Sequence, residues 1–457
     1  MQKYALNKPF IYFICIVSAM GGLLFGYDWV VIGGAKIFYE QFFGIVDNNF
    51  LIGLATSIAL AGCMVGALTV GVLADKYGRK PLLMLSAFIF VISSIGTGAF
   101  NRFDWFLFAR FIGGIAIGTA SGISPMYIAE VAPTSIRGKL VTLNQLAIVI
   151  GILAAQIVNW RIAGTHALDW NTVLGWRWMF WATAIPALAF QILVFFIPES
   201  PRWHAMAGHT AEASVTLSRI GGDAYAEDEL MFFAESKATA EKEGKGGLRL
   251  LLSKPFRKVL LLGCIIAFFQ QWCGTNVIFN YAQEIFQGAG YDVDNTFINI
   301  VITGIANLMF TFVAIFTVEK LGRRVLMLMG AGGLAGIYLI LGGCYFFRVE
   351  GIFMVILCVL AIACYAMTLG PVTWVLISEI FPNKIRAVAV ATATFFLWIG
   401  SFTLTLSFPL LNGSLGTSGT FWIYSGICMA AFLYFLKSLP ETKGKSLEEL
   451  EKELIKQ

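Results

Sequence analysis

The chain has 457 residues, of which 58% are hydrophobic and only 13% charged, with a mean hydropathy of +0.78. Soluble domains carry about 25% charged residues, so the composition excludes a water-soluble globular protein and indicates a polytopic membrane protein. The net charge of +5 matters through its placement; no nucleic-acid partner is expected.

Apolar runs of about 20 residues, the length that crosses a bilayer, predict twelve transmembrane helices. They lie at 10–34, 49–73, 82–100, 105–127, 139–160, 178–197, 258–286, 296–318, 325–347, 352–377, 387–411 and 420–438. The first run has no small-residue cleavage site and exceeds a signal-peptide core, so it stays a span. Its glycine-rich stretch 21–34 contains Asp28. A charge at that depth costs roughly 2.5–3.5 kcal/mol on insertion scales, so Asp28 implies a partner, a water-lined cavity or a proton to carry. Arg110, on the fourth run, falls at a similar depth and is the expected partner. The eight cysteines sit in apolar runs without paired spacing and read as packing residues, with neither disulfides nor a metal site implied. The three histidines, at 166, 204 and 209, lie in polar segments, which leaves intramembrane proton chemistry to carboxylates. No cofactor is expected.

All 32 lysines and arginines except Lys36, Arg102, Arg110, Arg161, Arg177 and Arg348 fall in the N-terminus, the tail and the loops on that same side. The positive-inside rule then puts both termini and the long 6–7 loop in the cytoplasm, and the short external loops suit a bacterial inner membrane. Residues 198–257 form the only large soluble segment. Rich in Ala, Glu and Lys from 212 to 243, it is broken at Gly221-Gly222 and ended by Gly244, Gly246 and Gly247. It reads as a helical connector without nucleotide motif or catalytic constellation.

Three motifs occur twice in the same order. EVAPTSIR (130–137) matches EIFPNKIR (379–386), DKYGRK (75–80) matches EKLGRR (319–324), and PESPR (198–202) matches PETK (440–443). The repetition predicts an all-α membrane protein of two pseudo-symmetric six-helix bundles, 1–197 and 258–439, joined by the connector and followed by a tail, 440–457. Each repeated motif joins acidic to basic residues at the cytoplasmic face. Pairs such as Asp75/Arg79, Glu130/Arg137, Glu319/Arg323 and Glu379/Arg386 are expected to form an inner gate, latching the halves while that side is closed.

Together with GGLLFGYD (21–28), RFIGG (110–114), QQ-x3-TN (270–276) and GPVTWVLISEIFPNKIR (370–386), these motifs resemble the sugar porter family of the major facilitator superfamily. The chain is similar in particular to bacterial proton-coupled xylose/hexose symporters, and the match runs from the first helix to the tail. The resemblance implies the major facilitator fold, whose two bundles rock about a central site, with a monosaccharide and a proton as partners. Proton-coupled members have Asp at the position of Asp28, where facilitative ones commonly have a neutral residue.

A hydroxyl-rich neutral ligand calls for amides, which offer both donors and acceptors, and for an aromatic face against the sugar ring. Gln145, Gln270, Gln271, Asn276, Asn307, Trp374 and Trp398 supply these near mid-helix, at motif positions of the family. Related symporters often have amides where this chain has Ile152 and Leu397, and many read Tyr-Tyr at Asn280-Tyr281, so the pentose or hexose preferred stays open. A facilitative uniporter, with Asp28 and Arg110 only structural, is the nearest alternative. A transporter-like sugar sensor is disfavoured by the short tail. An enzyme is disfavoured because no nucleophile, metal-ligand set or catalytic dyad appears in the spans.

Overall fold

In the computed structural model, residues 4–243, 251, 253–382 and 385–443 are described. Lipid offers the backbone no hydrogen bonds, so spanning segments satisfy their own as helices, and the apolar runs do so here. The first five spans are Lys8–Phe43, Asn49–Tyr77, Lys80–Ala99, Phe103–Val131 and Arg137–Thr165. Asn7 caps the first, its side chain accepting from the amide of Phe10. The sixth, Leu168–Val194, opens with a wider π turn over Asn171–Gly175.

Three connector helices follow, Pro201–Ala207, Thr210–Gly221 and Asp223–Glu243. The break at Gly222 (φ 85°) matches the expected one. The expected stops at Gly244, Gly246 and Gly247 lie outside the described residues.

The seventh span is built in pieces, Lys254–Trp272, Thr275–Asn280 and Ala282–Gln287, the first break falling at Gly274 with φ 85°. The eighth and ninth are Val293–Leu321 and Arg323–Phe346. The tenth breaks at Thr368 into Ile352–Met367 and Leu369–Glu379, beside Gly370-Pro371. The last helix, Arg386–Ser438, runs for 53 residues. At 1.5 Å per residue it is about 80 Å long, more than twice the hydrocarbon thickness. Gly416 (φ 70°, ψ 172°) interrupts it, so it supplies the eleventh and twelfth spans.

Two spans differ most from expectation. The first continues nine residues past Gly34, because Lys36 and Glu40, which look like an exit into water, neutralise each other inside the protein at 2.7 Å. The sixth begins ten residues before Trp178, since Arg177 is buried by donating to the carbonyl of Gly98 at 2.7 Å and to Asn101 at 2.8 Å.

Spans 1 and 5 pack together, as do spans 2 and 4. Between the halves, span 2 lies against the eleventh–twelfth helix and span 5 against span 8. The described parts of the N-terminal segment and connector share one face with residues 439–443, here the connector face. Tyr4 donates to Asp228, and the amide of Asn7 bonds the carbonyl of Ile220 at 2.9 Å. The halves touch at the far face. There the Gln283 amide donates to the carbonyl of Gly34 (2.9 Å) and accepts from the backbone of Ile37 (3.3 Å), and Phe38 stacks on Phe297.

Candidate functional site

Asp28 and Arg110 meet in the interior. One guanidinium nitrogen of Arg110 donates to both carboxylate oxygens of Asp28 at 2.8 Å, and the residues are 4% and 2% exposed. Spans 2 and 4 approach closely enough that a side chain at Gly114 would strike the carbonyl of Ala59. That small-residue contact sets the depth of Arg110 four residues earlier. The guanidinium also stands over the Phe180 ring, 5.3 Å from its centre. Burial of two charges is tolerable only because each neutralises the other. A small cavity touches the pair and reaches Phe25, Trp29 and Thr56.

The expected amides on the seventh span form a chain. Asn276 donates to Gln271, Gln271 donates to Gln270, and Gln270 donates to the hydroxyl of Tyr365. All three amides are buried, yet Oδ1 of Asn276 has no protein partner. Trp398 is 3% exposed, with its indole nitrogen likewise unpartnered, and it meets Phe25 edge-to-face at 5.6 Å. Phe25 lies one turn before Asp28, so an aromatic of one half touches the helix that carries the carboxylate in the other. Asn307 is buried on span 8, Gln145 is half-buried on span 5, and Trp374 is exposed at 40%. Thus Gln270, Gln271 and Asn276 are joined directly, whereas among the described residues no hydrogen bond joins half-buried Gln145 or exposed Trp374 to them.

Four participants were missed. Tyr365 fixes Gln270, and Phe25 and Trp29 line the cavity at Asp28. Gln156 is buried against Gly304 with both amide atoms unpartnered. Its signal was available: on a helix it lies within about 20° of Gln145, on the same stripe as Ile152.

On the connector face the expected Asp75/Arg79 pair is present but long, and the shorter bonds go to other partners. Arg79 holds Glu130 at 2.8 Å and reaches Asp75 only at 3.8 Å, while Arg137 donates to the carbonyl of Ala132. In the second half Arg323 holds Glu379 at 2.9 Å, and Arg386 donates to the carbonyl of Phe381. The side chain of Glu319 lies outside the described residues. Glu199 accepts from the backbone amides of Arg79 and Lys80, both at 3.0 Å. Glu441 accepts from those of Arg323 and Arg324 at 2.9 and 3.1 Å. Ser200 closes the first network on Glu130 and Thr442 the second on Glu379, each at 2.6 Å.

In this arrangement these bonds tie helix ends within one half. The free amides at the start of spans 3 and 9 attract a carboxylate, and the nearest one ends the sixth or the twelfth span of the same half. Gly78 and Gly322, at φ 92° and 87°, bring those amides up against it. A Cβ at Gly322 would stand 2.7 Å from the Glu441 carboxylate. Burial works against the charge on Glu441, but the backbone donors of Lys443, Arg323, Arg324 and Thr442 outweigh it and hold its pKa below 4.5.

Two six-helix halves, one holding a buried carboxylate–guanidinium pair and the other a chain of amides, define a membrane transporter of the major facilitator type. The sequence profile "Sugar (and other) transporter" matches residues 14–454, and the chain belongs to that family. It is 37% identical over 451 residues to the arabinose-proton symporter of Bacillus subtilis, covering 98% of this chain and 96% of that one. It is 37% identical over 475 residues to the D-xylose-proton symporter of Escherichia coli K12, covering 97% and 96%. Among solved structures, the partially occluded inward-open form of the E. coli xylose transporter XylE superposes with a TM-score of 0.86 at 35% identity, covering 96% of this chain and 100% of that one. XylE bound to 6-bromo-6-deoxy-D-glucose, described as a major facilitator proton:xylose symporter, superposes at 0.83 with 37% identity, covering 98% and 100%.

Proposed function

We propose that the protein imports a monosaccharide together with a proton by alternating access, with its termini and connector in the cytoplasm of a bacterial cell. The observation that carries this reading is the Asp28–Arg110 pair, a buried carboxylate beside a small cavity lined by spans 1, 2 and 4, whose Phe25 touches Trp398 of the other half. The names of the relatives support it, since those described above are proton symporters of pentoses.

Asp28 takes a proton from outside when its cavity is wetted. A neutral carboxyl no longer balances Arg110, so the pair loosens, and deprotonation on the inner side restores it. Gln270, Gln271 and Asn276 hold the sugar hydroxyls, with free acceptor capacity at Asn276. Trp398 offers its ring face and indole N–H, and Gln145, Asn307 and Trp374 close around the ligand from the facing helices. Phe25 transmits the state of Asp28 to Trp398, one turn away on the same helix. The bonds between halves close the far, outer face, so the arrangement described is the one closed to the outside. The networks of Arg79, Glu130, Arg137, Asp75, Arg323, Glu379 and Arg386 keep each half rigid at the inner face while the halves part.

The test is Asp28→Asn in proteoliposomes. Sugar uptake against its gradient, driven by an inward proton gradient, is expected to disappear, while sugar counterflow persists at reduced rate. Uphill uptake unchanged by Asp28→Asn overturns the coupling role. Wild-type uptake indifferent to collapse of the proton gradient identifies a facilitative uniporter instead.

A further inference from the structure

Span 1 carries a second buried charge that neither the sugar nor the proton reading uses. Lys36 is 3% exposed and lies about 12 Å beyond Asp28 along the helix, toward the far face. Its ammonium is 2.7 Å from Glu40 on its own helix and bonds Glu284 on the last segment of the seventh span. The Tyr281 ring lies beneath it, 5.1 Å from nitrogen to ring centre. Lys36–Glu284 joins the two halves, and the neighbouring Gln283 ties the same seam through the backbone of Gly34 and Ile37.

We propose that Lys36, Glu40 and Glu284 act in the transport cycle as a charge clasp on the outer entrance, with Lys36 passed from Glu284 to Glu40 when that entrance opens. The proposal rests on the transporter reading above. Opening the far face must separate span 1 from the seventh span and so break Lys36–Glu284. An ammonium left alone in that interior would be strongly disfavoured. Glu40, four residues along the same helix, moves with Lys36 and keeps it paired. The two carboxylates therefore have opposite duties: Glu284 stabilises the closed entrance, and Glu40 stabilises the open one. Their burial fits the division, the side chain of Glu40 being 10% exposed and that of Glu284 32%. Glu284 is thus placed to gain water as soon as the seam parts, while Glu40 stays covered with its lysine. The surplus carboxylate beside a single lysine has no use in a static contact, where one partner suffices.

Opposite duties give opposite signs, and those can be measured. Amide hydrogen exchange of the full chain in lipid nanodiscs, at one fixed pH, reports opening of residues 33–43 and 275–287. Glu284→Gln is expected to raise exchange in both segments by about tenfold, the effect of a 1.4 kcal/mol bias. Glu40→Gln is expected to lower it. The double variant Lys36→Glu/Glu284→Lys moves the lysine to the seventh span, where no carboxylate travels with it on opening, and is expected to lower exchange below the wild-type level. A cluster that merely holds the fold together would loosen in both single variants, and that result overturns the clasp, as does unchanged exchange in Glu284→Gln. The readout needs no sugar uptake, so failure of the clasp and failure of the transport reading are seen separately.

Discussion

The duplicated carboxylates Glu199 and Glu441 allow a prediction with a built-in control. Each accepts two backbone amides at the start of a helix, Glu199 from Arg79 and Lys80 and Glu441 from Arg323 and Arg324, at 2.9–3.1 Å. Glutamine has the same shape but one accepting oxygen, so Glu→Gln leaves one amide facing an NH2 group and removes the charge. A hydrogen bond to a charged group contributes about 1.5–3 kcal/mol. The charge adds about 0.3–1 kcal/mol against the helix dipole. Both sites are partly open to solvent, which places the expected loss at the lower end, about 2 kcal/mol for either variant. Thermal unfolding of the purified protein in detergent, followed by tryptophan fluorescence, checks it. Glu199→Gln and Glu441→Gln are expected to lower the melting temperature by similar amounts, and the double variant by nearly their sum, because the sites share no partner. A double variant no worse than either single one would refute the reasoning, since it would mean the two networks form one latch across the halves.

The same geometry sets a pH dependence at Glu441. Its folded pKa lies below the ordinary 4.5, so its contribution is complete above that value and disappears as pH falls through the lower, folded one. The gap in melting temperature between wild type and Glu441→Gln is expected to be constant above pH 5.5 and to close during acidification below about pH 4. Tyr365→Phe removes the partner that fixes Gln270; losing such a bond costs about 1 kcal/mol. A several-fold rise in the KM for sugar is expected, with the proton-to-sugar stoichiometry unchanged.

How far the sequence could be read depended on whether a residue's partner was dictated by rarity or by packing. Asp28 and Arg110 were legible as a pair because buried charges are scarce, and their depths followed from counting residues along oppositely directed helices. The amides of the seventh span were legible by type, since three in seven residues is unusual in an apolar run. Tyr365 was not, because a tyrosine between Cys364 and Ala366 in a span looks like ordinary packing until its hydroxyl is seen on Gln270. The connector-face motifs announced the duplication but not their partners. Every carboxylate there had several arginines within reach along the chain, and helix-end amides, which carry no side-chain signature, took two of the carboxylates. Lys36 fell beyond the end given to the first span for a related reason. Its neutraliser Glu284 is 248 positions away, so no partner across the chain was visible to carry that span past Gly34.

These placements bear on where the molecule can move. The networks at Glu130 and Glu199 join the ends of spans 2, 4 and 6 to the start of span 3, and those at Glu379 and Glu441 do the same for spans 8, 10, 12 and 9. Spans 1 and 7 make none of these bonds. They carry instead the contacts that a transport cycle has to make and break: Asp28 with Arg110, Phe25 with Trp398, Trp29 with Phe279, and Lys36 with Glu284. The seventh span is also divided into three segments, which lowers the cost of bending it. Rigid frames with mobile inner helices follow from this distribution of bonds. Under the proposed mechanism, a proton at Asp28 would alter the helix whose Phe25 touches Trp398 and whose Lys36 reaches Glu284 at the far face.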